Sequence, residues 1–282
     1  MRYMVCAPVC GLGNRLQALF SCVAIADMIG VPLKVWWESC SSCQCVFTDL
    51  FEPTLERFSL TDMDVGRYIK DEKLGVKIQD TILIKNNNII RDEDTNADIL
   101  ILGANQPIKF PGETTAAIYG RLKYGLKQLK IKEGIQLELD QFNLAECLGV
   151  HVGRGQVAAK ALLGSKNDIA RCIPLQMYFD KIDELNPAEI FISCEDEADE
   201  NAFLAKYGDK VKVRRGEKSR GTTGGMVEAF INMMLLSKCS QILDGKSSFS
   251  RVAAYCGGIP VIELKNTDGI LPESHGDTRC EN

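Results

Sequence analysis

A chain of 282 residues, 45% apolar and 25% charged, has the composition of an ordinary globule. It is long enough for one large α/β unit or for two of about 140 residues, either able to bury a core. A net charge of −5 disfavours a nucleic-acid partner, which calls for a basic face, and no apolar run approaches the ~18 residues of a membrane span. Met1-Arg2-Tyr3 leads into a strand instead of a signal peptide, so a cytoplasmic protein with reduced thiols is expected.

The first predicted strand, Tyr3 to Pro8, runs into Gly11-Leu12-Gly13-Asn14-Arg15-Leu16 and then a helix from Arg15 to Ile29. Leu16, Leu19, Phe20 and Val23 fall at i, i+3, i+4 and i+7, one buried stripe, and Gly30 stands where a left-handed cap belongs. Gly11 and Gly13 let the turn approach a ligand, and the helix start at Asn14 and Arg15 offers N–H groups to an anion, making these four residues donor-binding candidates. A dinucleotide fingerprint would need a small residue at Leu16, so a tight turn without a ligand is the alternative.

Leu33 to Trp37 reads as the next strand, with Glu38 just past its end. Cys40, Cys43 and Cys45 supply three soft ligands where a structural zinc takes four, and the histidines are His151 and His275; no metal is expected. Cys22, Cys147, Cys194, Cys239 and Cys256 sit in apolar segments as small hydrophobes. Asn86 to Asn96 reads as a loop, Asp98 to Leu102 as a strand and Ala116 to Gln128 as a helix. The basic run Arg121, Lys123, Lys127, Lys130 and Lys132 reads as a solvated face. A boundary at Gln141 to Glu146 gives domains 1–145, the acceptor side, and 146–282, the donor side.

The second half opens on the strand Leu148 to Val152, which delivers His151 and Arg154 to its carboxyl end, where open α/β sheets bind ligands. The fork of Arg154 suits a diphosphate, although a surface salt bridge and, for His151, a satisfied core histidine are the bland alternatives. After a helix at Leu175 to Leu185, the strand Glu189 to Cys194 ends in Glu195 and Asp196, which either accept from ribose or base donors or simply begin the helix Glu197 to Tyr207. Lys210 to Val213 is a strand, and the glycine-rich loop Arg220 to Gly225 precedes a helix at Met226 to Lys238. The strand Gln241 to Asp244 continues into Gly245-Lys246-Ser247-Ser248-Phe249-Ser250, whose hydroxyls and N–H groups can cradle phosphate at the start of the helix Phe249 to Cys256; Pro260 to Leu264 is the last strand. This alternation implies parallel sheets with crossover helices.

Gly11-Leu12-Gly13-Asn14-Arg15-Leu16, Pro32 to Trp37, Phe47-Thr48-Asp49-Leu50-Phe51, Gly149 to Val152, Ser247 to Tyr255 and Gly257 to Ile262 together resemble the fucosyltransferase-type GT-B glycosyltransferases: core α1,6-fucosyltransferases, rhizobial nodulation fucosyltransferases and protein O-fucosyltransferases. The resemblance implies an α/β, GT-B-like fold of two Rossmann-like domains facing across a cleft. It further implies inverting transfer from a nucleotide-sugar donor to a glycan acceptor, with no metal and no other cofactor. Donor contacts then fall to Gly11, Gly13, Asn14, Arg15, His151, Glu195, Asp196, Asp244, Ser247, Ser248 and Phe249, and catalysis to Arg154 with Glu38 as base. The family pattern is His-x-Arg-Arg-x-Asp, whereas this chain has Gly153 in place of the first Arg and Gln156 in place of the Asp. A pocket so rebuilt fits either GDP-fucose or a shifted, UDP-linked donor such as UDP-xylose. Three other readings compete: a sugar-binding module without turnover, an NAD-dependent oxidoreductase, and a metal-dependent transferase using Asp92-Glu93-Asp94.

Overall fold

The computed structural model describes residues 1, 3–53, 58–60, 81–85, 90, 99–153, 173–245 and 247–266. The chain divides into two compact units: unit 1 holds Met1–Phe142, Ser219–Ile231 and Tyr255–Gly258, and unit 2 the remainder.

Unit 1 is built on five parallel strands, β1 (Tyr3–Pro8), β2 (Leu33–Val35), β3 (Phe58–Leu60), β4 (Thr81–Lys85) and β5 (Ile99–Ala104), in the order β3-β2-β1-β5-β4. β1 is central, and five of its six residues are buried, as a strand covered on both faces requires. Helix α1 (Leu12–Met28) follows, then a single turn α2 (Phe47–Leu50), α3 (Thr115–Lys127) and α4 (Glu133–Asp140). The predicted stripe on α1 is buried, but so is nearly everything from Leu12 to Ala26, because β1 and α3 both pack on this helix. The helix ends as its sequence indicates: Gly30 is left-handed (φ 72°), Val31 N–H reaches back to the Ala26 carbonyl and Gly30 N–H to that of Asp27.

α3 begins at Thr114, whose hydroxyl accepts from Ala117 N–H. Its Gly125 lies so close to α1 that a Cβ there would stand 1.9 Å from the Phe20 carbonyl oxygen. Arg121 departs from the expected solvated face. It is buried, paired with Glu113 and bonded to the Ile108 carbonyl, and Phe110 covers its guanidinium. Two short elements, α4 and β3, and the run Thr81–Lys85 extend the predicted set; the Asn86 to Asn96 loop lies outside the described residues apart from Ile90.

Unit 2 also carries five parallel strands, β6 (Leu148–Val152), β7 (Ile190–Cys194), β8 (Val211–Val213), β9 (Gln241–Asp244) and β10 (Val261–Glu263), in the order β10-β9-β6-β7-β8. Taken in chain order this is the doubly wound 3-2-1-4-5 arrangement, which reverses direction between β6 and β9. Its helices are α5 (Leu175–Leu185) and α6 (Glu197–Tyr207); α7 (Thr223–Leu236) and α8 (Ser248–Gly257) each contribute residues to both units. The core gathers Leu148, Val150 and Val152 of β6 with Tyr178, Ile182, Ile190, Ile192, Phe203 and Leu243. Packing at the amino end of β6 is tight around Gly149, where a Cβ would meet Leu236 and the Cys239 sulfur at 3.1 Å. Cys22, Cys147, Cys194, Cys239 and Cys256 are all buried, as apolar-segment thiols should be. No helix among the described residues is long and apolar enough to cross a membrane.

Candidate functional site

In a doubly wound sheet, the crevice for a ligand opens at the carboxyl ends of the strands where the order reverses. In unit 2 those ends are His151 and Asp244, partners in the β6–β9 register. His151 is 3% exposed, its ring stacked on Phe249 with centroids 4.5 Å apart and planes 19° from parallel. Nδ1 lies 3.1 Å from the Ser193 carbonyl oxygen. A carbonyl can only accept, so Nδ1 carries a proton. Tyr178 fixes the same strand end by donating to the His151 carbonyl, at 3.2 Å.

Asp244, 1% exposed, accepts from Ser247 N–H at 2.8 Å, and Ser247 Oγ accepts from Phe249 N–H at 3.1 Å. These two bonds close the turn and cap α8, with Ser250 Oγ donating back to the Ser247 carbonyl. A side chain at Gly245 would meet Tyr178 Oη and Ile173 Cγ1 at 2.8 Å, so the turn needs its glycine. Ser247, Ser248 and Phe249, where a phosphate cradle is expected, thus form the capped start of α8.

At the end of β7, Glu195 N–H donates to the Val152 carbonyl, and the Asp196 side chain accepts from Ala198 N–H as the cap of α6. Glu200 is buried and paired with Lys218 at 2.6 Å and Arg215 at 3.3 Å; Lys218 also donates to the Cys194 carbonyl. A polar cavity of about 390 Å³ opens here, with Glu195, Asp196, Glu200, Arg215 and Lys218 in its wall. Nothing in the sequence singled out Glu200 or Lys218: their signal is a contact 18 residues apart along the chain, which no local pattern carries. Beside the cavity stands Gly153, where a Cβ would lie 2.9 Å from His151 Nε2 and 3.6 Å from Glu195 Oε1. Arg154, Gln156, Lys246, His275 and the Asp92-Glu93-Asp94 triplet lie outside the described residues.

The other predicted residues fall in unit 1. Gly11 is the extended residue before α1, and no side chain caps that helix. Gly13 and Asn14 occupy its first turn, Asn14 half-buried. Arg15 turns inward at 3% exposure, with its guanidinium 5.4 Å from the Trp37 ring centroid. It donates from Nε to the Cys10 carbonyl at 2.7 Å, from Nη1 to the Glu38 carbonyl and from Nη2 to Cys40 Sγ at 2.9 Å. Glu38 is therefore tied by its backbone, while its side chain is exposed. Cys43 Sγ is 3.6 Å from Cys45 Sγ, and Cys40, Cys43 and Cys45 are free thiols. Partial burial works against ionisation of Cys40, but hydrogen bonds from Ser42 and the Arg15 charge outweigh it and lower its pKa. The predicted site residues that are described thus fall in two places, one in each unit.

No protein-family model matches the chain, and no curated protein does either. Solved structures do share its fold. NodZ α-1,6-fucosyltransferase soaked with GDP-fucose aligns over 95% of this chain and 96% of its own, with a TM-score of 0.61 at 16% identity. Arabidopsis thaliana FUT1, as an R284K mutant with GDP, aligns over 94% and 71%, at 0.58 and 15%. The apo form of POFUT1 aligns over 93% and 97%, at 0.53 and 13%. The chain therefore has the GT-B-like α/β fold of these fucosyltransferases, with two parallel Rossmann-like sheets.

Proposed function

We propose that the chain is an inverting, metal-independent glycosyltransferase that moves fucose from GDP-fucose to a glycan hydroxyl, with UDP-xylose as the alternative donor. The observation that carries this reading is the His151–Asp244 strand end, where a doubly wound sheet reverses beside a capped helix start. Fold likeness supports it, since NodZ has been solved with GDP and with GDP-fucose and POFUT1 with GDP-fucose. Unit 2 holds the donor. The N-terminus of α8 at Ser247 and Ser248 faces the diphosphate, and the charge of Arg154 stabilises the departing β-phosphate. Unit 1 serves the acceptor, with the exposed Glu38 as general base, held in place by its backbone bond to Arg15. The helix start at Gly11, Gly13 and Asn14 supplies further N–H groups for an anion.

Thermal unfolding against GDP, UDP and NAD, with and without EDTA, tests the reading. A ligand at 100 times its dissociation constant stabilises by about 2.7 kcal/mol, a shift of several degrees in a chain of this size. Stabilisation by GDP or UDP that survives EDTA is the expected result; a response to NAD alone overturns it. Gly153 and Gln156 in the family's Arg and Asp places favour a second reading, a binding module without turnover. Arg154→Ala separates the two: an enzyme loses at least about tenfold in transfer, whereas a module keeps its glycan affinity.

A further inference from the structure

Past the end of β2, Cys40-Ser41-Ser42-Cys43 forms a two-residue turn closed at both ends by its cysteines. Cys43 N–H donates to the Cys40 carbonyl at 2.9 Å, and Cys40 N–H to that of Cys43 at 3.2 Å. An antiparallel pair that exchanges both bonds keeps its Cα atoms about 5.5 Å apart with the side chains on one face, inside the ~4.4–6.8 Å that a disulfide spans. The two thiols differ in their surroundings. Cys40 is half-buried, and its sulfur accepts from Arg15 Nη2 at 2.9 Å and lies 3.1 Å from Ser42 Oγ. A guanidinium so placed favours the thiolate. Cys43 is buried, with the Cys45 sulfur 3.6 Å from its own. The hydrogen bond from Cys45 lowers the pKa of Cys43 against the effect of burial, helped by the Arg15 and Arg220 charges, while Cys45 keeps its proton. A partly accessible sulfur favoured as a thiolate therefore stands across a tight turn from a buried one favoured in the same way. Cys10 is exposed as well, but the group at its sulfur is the neutral Asn105 amide, at 3.7 Å.

We propose that Cys40 and Cys43 are a site of reversible oxidation by hydroperoxides: the oxidant reacts at Cys40, Cys43 closes a disulfide onto it across the Ser41-Ser42 turn, and Cys45 positions Cys43. The Cys40 sulfur attacks one peroxide oxygen and the O–O bond breaks. The other oxygen leaves as water or an alcohol, carrying the proton the thiol gave up, and Cys40 becomes a sulfenic acid. The Cys43 sulfur then attacks the Cys40 sulfur, the S–O bond breaks, and the departing hydroxide takes up a proton as water. Two thiols and one hydroperoxide thus give one disulfide, one water and one alcohol or second water. A dithiol reductant reverses the change by exchange. The site needs no nucleotide, so it stands apart from the donor reading above.

The test treats the reduced chain with a small excess of hydrogen peroxide. Remaining thiols are alkylated with one reagent, the disulfide is reduced, and the freed thiols are alkylated with a second before mass spectrometry. Two of the twelve thiols should be lost first, with the second label on Cys40 and Cys43 and the first on Cys45, and dithiothreitol should restore both. With dimedone present, Cys43→Ser should stop at the sulfenic acid and carry the adduct on Cys40. Cys40→Ser, which keeps an acceptor for Arg15, should slow oxidation of Cys43 by at least about tenfold. Cys45→Ala should prolong the sulfenic acid, read as a larger dimedone yield on Cys40, and Cys10→Ser should change nothing. Should a variant at a buried thiol not fold, the label map of the parent decides the pairing and Cys40→Ser decides where the oxidant reacts. A disulfide between Cys43 and Cys45, oxidation of Cys43 at the parent rate in Cys40→Ser, or a parent whose Cys40 and Cys43 stay reduced while other thiols oxidise would overturn the proposal.

Discussion

Arg15→Lys separates an arginine that grips a ligand from one that holds its own unit together. The native guanidinium spends its three nitrogens on the Cys10 carbonyl, the Glu38 carbonyl and Cys40 Sγ. Lysine keeps the charge but brings a single nitrogen that cannot reach three acceptors spread over two loops. Bonds of this charged type contribute roughly 1.5–3 kcal/mol each, so losing two, with some repacking, costs about 3 kcal/mol. At about 2–4 °C per kcal/mol the melting temperature falls by roughly 6–12 °C. Because the side chain is buried within unit 1, GDP affinity of the folded variant should change by less than about threefold. Scanning calorimetry and isothermal titration read the two effects separately. A melting temperature within about 2 °C of the parent, with a tenfold loss of GDP affinity, would refute the reasoning and return Arg15 to the ligand.

Gly125→Ala sets helix propensity, worth up to about 1 kcal/mol in favour of alanine, against a Cβ placed 1.9 Å from the Phe20 carbonyl oxygen. Overpacking against backbone costs about 3 kcal/mol or more, so urea unfolding should show a net loss near 2 kcal/mol, and a gain in stability would contradict the packing of α1 on α3. Asp244→Ala removes the acceptor of Ser247 N–H and should cost about 1 kcal/mol with at least tenfold in GDP affinity, whereas Asp244→Asn keeps an oxygen for the turn; equal titration results for the two variants would remove the turn from the site. At pH 7.5, maleimide labelling followed by mass spectrometry should mark Cys40 well before Cys239 and Cys256. Burial pushes those two thiols up to about 12, whereas Ser42 and Arg15 lower that of Cys40 despite its partial burial. Labelling in the reverse order would contradict this arrangement.

The long periodic elements were legible in the sequence. The strands Tyr3–Pro8, Leu148–Val152 and Gln241–Asp244 and the helices Leu175–Leu185 and Glu197–Tyr207 stand where apolar periodicity and capping residues put them. The helix Glu133–Asp140 carries only two buried positions, Ile135 and Leu139, and β3 is three residues long, so neither gives a pattern long enough to read. Thr81–Lys85 carries a short β-branched apolar core, but the charged residues around it in the sequence mask its strand pattern. Arg121 shows what local reading misses: its charge belongs to a basic run, yet Glu113, eight residues earlier, and the Ile108 carbonyl draw it inside.

For the site, strand-to-helix turns pointed to His151, Asp244 and Ser247, because a polar residue ending an apolar strand is a local signal. The contacts that orient them are not local. Ser193 lies 42 residues from His151 and Tyr178 lies 27 from it, so ring orientation and tautomer depend on tertiary structure. Gly153 was visible as a departure from a family pattern, while its reason, the His151 ring in the path of a Cβ, is purely geometric.

The central claim, transfer of a nucleotide-bound sugar by this fold, is tested most directly by NMR of the donor during incubation. GDP-fucose and UDP-xylose are each mixed with the protein, EDTA and a glycan acceptor, and the anomeric signals are followed. Consumption of one donor, release of its nucleoside diphosphate and a product of opposite anomeric configuration are what the account predicts. A product of retained configuration, or both donors unchanged while the protein binds the nucleotide, would contradict it.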